Sequence, residues 1–212
     1  FSTDKTVETA KALGADVYQN PFVDHATQLN WGLANTDIDT EWIMRMDADE
    51  ELTKELCQEI GERLPGLPPG ITGVELKRRV YFLGRWIRHG GVYPTILLRI
   101  FRRDKAVCEQ TLMDEHFILK EGKTVLFRQD LIDNNTKSLE WWIGKHNWYS
   151  NKEVQDHLEK EQQLRDGVTI KPRLFGGGSA EKKRWLKYMV YYKTPLMRRA
   201  HWYFIYRYFF RL

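Results

Sequence analysis

The spacing of apolar and polar positions in the first third of the chain predicts alternating helices and strands. Apolar residues at helical spacing predict a short helix that ends at Gly14, a second helix capped by Asp24 and a third over residues 53–64. Short apolar runs predict strands at residues 16–20 and 42–46. The alternating order and the short connections favour a parallel sheet.

The pattern changes after a turn rich in Pro and Gly at residues 65–70. Longer apolar stretches then predict two strands between residues 71 and 101, another strand over 123–134 and a long helix over 138–165. A glycine-rich joint at residues 176–179 precedes two aromatic helices that Pro195 separates. We therefore expect an α/β domain over residues 1–175 and a helical tail over residues 176–212.

Three carboxylates, Asp47, Asp49 and Glu50, follow the apolar run at residues 42–46. A buried strand delivers such residues to the carboxyl edge of a sheet, where open α/β sheets bind ligands. In a tight turn Asp47 and Asp49 can converge on one hard cation, which would remove the repulsion between them. The alternative is an acidic turn that caps the next helix, because acidic residues favour helix N-termini. The spacing leaves both interpretations open.

The connection at residues 84–94 contains three glycines together with aromatic and cationic side chains. Glycine allows close backbone approach, while Arg and Trp supply contacts to anions and rings. This composition is typical of a binding loop. The alternative is a hairpin loop with incidental charges.

Composition sets broad limits on the protein. A chain of 212 residues with 42% hydrophobic residues can bury one core, or a core with an appended lobe. The two cysteines, Cys57 and Cys108, argue against a disulfide framework and fit a reducing compartment. No signal-peptide pattern opens the sequence, and no run of about 18 apolar residues offers a membrane span.

The charge is concentrated in the tail. Residues 181–212 carry nine Lys or Arg against one acidic residue, a net charge of +8, so the preceding 180 residues carry −4. The tail also holds eleven of the 28 aromatic residues. Aromatic side chains prefer the headgroup level and cations the anionic leaflet, which predicts helices that lie on a membrane.

The composition of the tail also fits roles away from a membrane. The aromatic helices could pack on the domain or form a contact between copies of the chain, giving a homo-oligomer. Aromatic stacking with cations is also how proteins hold single-stranded nucleic acids. The acidic body and the lack of an RNA-binding motif argue against nucleic acid as the partner.

Three stretches resemble glycosyltransferase family 2, whose members have the GT-A fold. They are the Ser-Thr-Asp-x-Thr turn at residues 2–6, the acidic strand end at residues 42–50, and the acidic element Asp114, Glu115 and His116. Residues 86–94 and 145–149 resemble the bacterial branch that builds lipopolysaccharide core and other surface polysaccharides. The resemblance covers residues 1–150 and implies a mixed α/β sheet flanked by helices, with the aromatic and basic tail as an extension.

The resemblance implies an inverting transfer of a sugar from a nucleotide-diphosphate sugar to a glycan or lipid-linked acceptor. It assigns Asp49 to a Mg²⁺ or Mn²⁺ ion, with His116 completing the metal shell, and Asp47 to the ribose or to the metal through water. An attacking hydroxyl must lose a proton, so Glu115 or Asp114 is expected as the base, with a preference for Glu115. A loop role for His116, bonded to its acidic neighbours, is the alternative.

The remaining site residues also come from the resemblance. Asp4 and Asn30 are expected on the nucleotide side, although Asn30 could be a surface residue of its helix. Arg88, His89 and Tyr93 would hold the acceptor or the diphosphate, and so would Lys145 and His146, for which a solvated helix face is the alternative. Extension of lipid-linked glycans implies the cytoplasmic face of the membrane.

The resemblance departs from the family at the N-terminus. Family members begin with strands that hold the nucleotide base, and none precedes Phe1. We therefore expect an N-terminal segment to be missing. A catalytically inactive scaffold is the corresponding alternative function.

Overall fold

A computed structural model of the protein describes residues 2–110, 115–165, 185–186 and 194–211. The chain forms two compact units. The first comprises Phe1–Arg79 and Thr95–Asn135, and the second comprises Val80–Pro94 and Thr136–Leu212. The domain boundary predicted at residue 176 falls outside the described ranges and stays a prediction.

The architecture is α/β, as the sequence predicts. The described strands are β1 Trp42–Met44, β2 Glu50–Leu52, β3 Ile71–Phe82, β4 Arg85–Trp86, β5 Thr95–Arg102, β6 Ala106–Cys108, β7 Phe117–Leu119 and β8 Lys123–Asn135. The main sheet has the order β1-β5-β3-β8-β2, and β4 pairs with the end of β3. A second sheet consists of β6 and β7.

The helices are α1 Thr6–Ala12, α2 His25–Asn35, α3 Lys54–Arg63, α4 Leu139–Arg165 and α5 Leu196–Ile205, followed by a π-helical segment, Tyr206–Arg211. The Asp24 carboxylate caps α2 by accepting the Thr27 N–H at 2.7 Å. Gly14 follows α1 with a φ of 83°, a conformation that glycine adopts without strain. Both features match the predicted helix boundaries.

The predicted parallel pairing of strands at residues 16–20 and 42–46 is wrong. Residues 15–24 contain no strand, and β1 pairs antiparallel with β5, with Trp42 opposite Arg102. Val17 and Tyr18 are adjacent, so on an extended chain they point to opposite faces and cannot form one apolar face. β2 also pairs antiparallel, with β8.

Two apolar clusters form the core of the first unit. One joins Leu56 of α3 to buried residues of the main sheet: Val74, Leu76, Ile100, Phe127 and Leu131. The other joins Ala26 of α2 to Phe101, Ala106, Cys108 and Phe117. Burial of a Leu or Phe side chain stabilises a fold by about 1.5–3 kcal/mol. These clusters therefore hold α3 against the main sheet and α2 against β5, β6 and β7.

The second unit contains β4 and the helices α4 and α5. Trp86 of β4 lies opposite Tyr81, and the rings of Phe82 and Trp142 lie 5.4 Å apart. The predicted long helix is confirmed as α4 and the last aromatic helix as α5, whereas the first aromatic helix lies largely outside the described residues. Within the described ranges, none of the helices combines the length and apolar character needed to cross a membrane.

Candidate active site

The acidic residues after β1 form a closed turn at the end of the strand. The Arg45 N–H donates to the Arg99 carbonyl at 2.9 Å, so the ladder with β5 continues one residue beyond β1. The Glu50 N–H donates to the Asp47 carbonyl at 3.0 Å, and the Asp47 N–H donates to Glu50 Oε2 at 2.9 Å. Both hydrogen-bonding groups of the Asp47 backbone are therefore held by Glu50.

The acidic residues of this turn do not cap helix α3. The Thr53 hydroxyl oxygen accepts the Leu56 N–H at 3.0 Å and caps the helix instead. Glu50 lies in β2, where it is opposite Asp133 of β8. The acidic turn is thus available for another role, and the alternative of a helix-capping turn is wrong.

Two arginines neutralise the buried part of the turn. Arg99 Nη2 lies 3.2 Å from Asp47 Oδ2 and forms a short ion pair with Glu50. Arg45 Nη2 lies 3.1 Å from Asp47 Oδ1 and 3.4 Å from Asp47 Oδ2. The Asp47 carboxylate is therefore oriented by two guanidinium groups.

The same surroundings shift the two carboxyl groups in opposite directions. Burial would raise the pKa of Asp47, but the attraction of Arg45 and Arg99 and their hydrogen bonds outweigh it, so this pKa is lowered. Burial raises the pKa of Glu50, and the Asp47 N–H and Arg99 only partly oppose the shift. Asp47 is thus the more strongly stabilised anion of the two.

Asp49 lies at the exposed tip of the turn. Its carbonyl accepts the Asn134 N–H at 2.8 Å, which holds the tip against the end of β8. The neighbouring Asp133 is 3.3 Å from Arg78 Nη1. Burial raises the pKa of Asp133, and repulsion by Asp49 and Asp47 adds to the shift that Arg78 opposes. A cation at this strand end would lower that repulsion.

The donor atoms of the turn are carboxylate oxygens, which suit a hard divalent cation. The described residues contain no group of three or more His, Cys, Asp or Glu arranged around a possible metal ion. A metal at Asp49 would therefore take other ligands from a bound molecule such as a diphosphate.

The second predicted acidic element is described in part. Asp114 lies outside the described residues, whereas Glu115 and His116 lie just before β7. The His116 carbonyl accepts the Glu109 N–H at 2.9 Å, and its assignment as a metal ligand stays a prediction.

Arg45 contacts both the acidic turn and the first residue of β7. Its guanidinium carbon lies 5.7 Å from the centre of the Phe117 ring, two residues after Glu115, while the same side chain contacts Asp47. Burial raises the pKa of Cys108, with Arg45 opposing the shift and Glu115 adding to it. Glu115 and the acidic turn therefore belong to one region of the first unit.

The two residues predicted on the nucleotide side have different surroundings. Asp4 Oδ1 accepts the Thr6 N–H at 3.0 Å and the Thr6 hydroxyl at 2.6 Å, so it closes the turn before α1. Asn30 Nδ2 donates to the Cys108 carbonyl at 2.8 Å, and Asn30 Oδ1 accepts the Cys108 N–H at 2.9 Å. Asn30 therefore joins α2 to β6, and nucleotide contact by either residue stays a prediction.

The predicted acceptor-side residues belong to the second unit. The Arg88 guanidinium lies 4.4 Å from the Trp86 ring, which packs edge-on against Tyr93, and His89 is in the same loop. On α4, Lys145 lies 4.7 Å from the Trp141 ring. His146 stacks on Trp142 at 3.7 Å. Both groups are aromatic surfaces that carry cations, and their substrate contacts stay predictions.

The sequence-based prediction did not include the residues that surround the acidic turn. They are Arg45, Arg78, Arg99 and Asp133. Arg99 carried a usable signal, since an arginine inside the apolar run at residues 96–101 must find a buried anion. Asp133 carried none, because only the pairing of β8 with β2 brings it to the turn.

Comparison with known proteins identifies the family of the chain. The sequence profile described as glycosyl transferase family 2 matches residues 1–133. A Rickettsia bellii protein named uncharacterized glycosyltransferase is 48% identical over 59 residues, which are 28% of this chain and 19% of that protein. A similarly named Rickettsia conorii protein is 42% identical over 173 residues, 77% of this chain and 60% of the relative. The chain thus spans less than two thirds of either relative.

Proposed function

The chain belongs to glycosyl transferase family 2 and has its α/β GT-A architecture, and from that premise we propose that it transfers a sugar from a nucleotide-diphosphate donor with inversion. The acceptor is a glycan or a lipid-linked glycan of bacterial surface polysaccharide or lipopolysaccharide synthesis. The observation that carries the proposal is the closed acidic turn after β1. In this turn Asp47 is held by two arginines while Asp49 is exposed.

The two aspartates of the turn have separate roles in this proposal. Asp49 holds a Mg²⁺ or Mn²⁺ ion, because its exposed carboxylate lies at the tip of the turn. Asp47 contacts the nucleotide side, and the bonds from Arg45 and Arg99 fix the orientation of its carboxylate for that contact. The ion, when bound, neutralises the charge that develops on the leaving diphosphate.

Proton removal is assigned to the second acidic element. An acceptor hydroxyl becomes a nucleophile when a carboxylate takes its proton on the side opposite the diphosphate. Glu115 is the proposed base and Asp114 the alternative. The position of Glu115 near Phe117 and Arg45 supports this choice, because that region adjoins the acidic turn.

The aromatic and basic tail is proposed to lie on the cytoplasmic face of the membrane. Large aromatic side chains of the described tail are exposed: Trp202, Tyr203, Phe204, Tyr206, Tyr208, Phe209 and Phe210. Arg198 adds an exposed cation to the same helix. Exposed aromatic residues with cations favour the interface of an anionic bilayer, where a lipid-linked acceptor would be found.

Nucleotide binding tests the enzymatic proposal. Isothermal titration of the full-length protein with UDP, GDP, ADP and CMP in Mn²⁺ should identify at least one ligand. Asp49→Ala should weaken that binding by at least about 10- to 100-fold, the cost of losing even a residue that only supports a metal ligand. Asp39→Ala is the matched control, because Asp39 is also an exposed aspartate of the first unit. No binding to any nucleotide, or equal binding by Asp49→Ala, would contradict the proposal.

A further inference from the structure

Arg99 is a buried cation in the middle of an apolar strand. It lies in β5 between Leu98 and Ile100 and is 3% exposed. Removal of a guanidinium from water is costly unless it is paired with anions. The anions that it contacts therefore indicate what this residue does.

Arg99 joins a buried carboxylate to an exposed one. The Glu50 side chain is 1% exposed and the Asp47 side chain is 40% exposed, and Arg99 Nη2 contacts both. Charge-assisted bonds from one guanidinium group are directional, so they restrict the rotation of the groups that accept them. The exposed Asp47 carboxylate is thus tied to the interior of the sheet.

The other arginine at Asp47 belongs to the same segment. Arg45 lies two residues before Asp47, so its side-chain bonds join neighbouring residues of one stretch of chain. Arg99 belongs to a different strand, 52 residues away in sequence. It is therefore the arginine that fixes Asp47 relative to the sheet.

We propose that Arg99 is a positioning residue for the donor nucleotide, acting through Asp47 rather than by direct contact. Its interior position keeps it away from the ligand, and its bond to Asp47 Oδ2 sets the orientation of the carboxylate. This inference rests on the proposed function, because it assigns Asp47 to the nucleotide side. It adds to the proposed nucleotide site a residue that is distant from the acidic turn in sequence.

Arg102 provides a matched control on the same strand. Its Nε donates to the Ile71 carbonyl at 3.0 Å and its Nη2 to the Leu67 carbonyl at 3.2 Å. Its guanidinium also lies 4.4 Å from the Trp42 ring. These contacts stabilise the fold and do not include Asp47. A substitution at Arg102 therefore reports the cost of losing a structural arginine from β5.

The experiment is a double-mutant cycle of nucleotide affinity. Arg99→Lys keeps the positive charge and removes the planar guanidinium whose Nη2 contacts both carboxylates. We expect it to weaken binding of the Mn²⁺ nucleotide complex by about 10- to 100-fold, as loss of a supporting residue does elsewhere. In an Asp47→Asn background the same change should alter affinity by less than about twofold. Arg102→Lys should also leave affinity within about twofold.

A second variant tests whether a loss of affinity could come from unfolding caused by an unpaired buried charge. Arg99→Met combined with Glu50→Gln removes the cation and its buried partner together, so no unpaired charge is left inside. This variant should melt cooperatively and bind the nucleotide as weakly as Arg99→Lys. Thermal unfolding of every variant separates a loss of stability from a loss of affinity.

The outcomes separate the two proposals. If the wild-type protein binds a nucleotide and Arg99→Lys binds it equally well, or loses the same affinity in the Asp47→Asn background, Arg99 is not a positioning residue while the proposed function stands. If the wild-type protein binds none of the four nucleotides in Mn²⁺, the proposed function fails and the role of Arg99 fails with it.

Discussion

At the scale of single residues, Glu59 of α3 is a buried carboxylate that accepts backbone N–H groups of β8, as the carbonyl groups of a neighbouring strand would. Its oxygens accept the Arg128 N–H at 3.0 Å and the Gln129 N–H at 2.8 Å, and Arg63 forms a short ion pair with it. Burial would raise the pKa of Glu59, but these bonds outweigh it, and the pKa is lowered. The charged form of Glu59 therefore stabilises the contact between α3 and β8.

This gives a prediction about pH. Glu59→Gln should cost about 1–2 kcal/mol of unfolding free energy at pH 7. A carboxyl with a lowered folded pKa stabilises the fold above its unfolded pKa and loses that contribution as pH falls through the folded value. The difference in unfolding free energy between the wild type and Glu59→Gln should therefore become smaller as the pH falls below the ordinary pKa of Glu.

Urea unfolding across an acidic pH series measures this difference. Glu62→Gln is the control, because Glu62 is exposed on the same helix and bonds Gln58 at 2.8 Å. A Glu59→Gln difference that stays constant with pH would contradict the role assigned to the charge.

At the scale of elements, the turn before β8 depends on Gly122. This residue has a φ of 88°, and a Cβ added to it would collide with the side chain of Thr72. The Thr72 hydroxyl donates to the Glu121 carbonyl at 2.5 Å, so Thr72 cannot move away without loss of that bond. The start of β8 is therefore closely fitted to the start of β3.

Gly122→Ala should destabilise the protein by about 1–3 kcal/mol, because it combines a strained backbone with a steric clash. The same substitution at Gly61 should have the opposite sign. Gly61 lies inside α3 with open space around its Cβ position, so Ala should stabilise the helix by about 0.5–1 kcal/mol. Chemical denaturation of both variants gives the comparison, and two changes of equal sign would refute the steric role of Gly122.

Elements were more predictable from sequence than their pairing. The helix after Asp24 and the long strands from residue 71 onward are set by local patterns, and the structure contains them. The direction of pairing is not a local property. β1 and β5 are far apart in sequence, and no local pattern indicated that they run antiparallel. Asp47 and Asp49 were found because they are adjacent to a strand, whereas Asp133 needed the β2 to β8 register.

At the scale of the whole molecule, the separation of charge leads to a prediction about membranes. The tail should bind vesicles that contain phosphatidylglycerol and should bind neutral phosphatidylcholine vesicles much more weakly. Arg198→Gln should weaken binding about fivefold, since one cation near an anionic surface contributes about 1 kcal/mol. Added salt should weaken binding as well.

Vesicle sedimentation of the full-length protein measures these affinities. Arg128→Gln is the control, because Arg128 is an exposed arginine of the first unit outside the tail. Equal loss of binding in both variants would show that net charge, and not the tail, is responsible. Equal binding to neutral and anionic vesicles would contradict the electrostatic component altogether.

The amide of Asn30 has a consequence for local motion. This amide hydrogen-bonds to both the N–H and the carbonyl of Cys108, as a residue of a neighbouring strand would, although Asn30 lies in helix α2. The Cys108 amide proton should therefore exchange with heavy water only when α2 separates from β6. Hydrogen exchange at this one amide reports how often β6 is released from α2, and Asn30→Ala should accelerate the exchange.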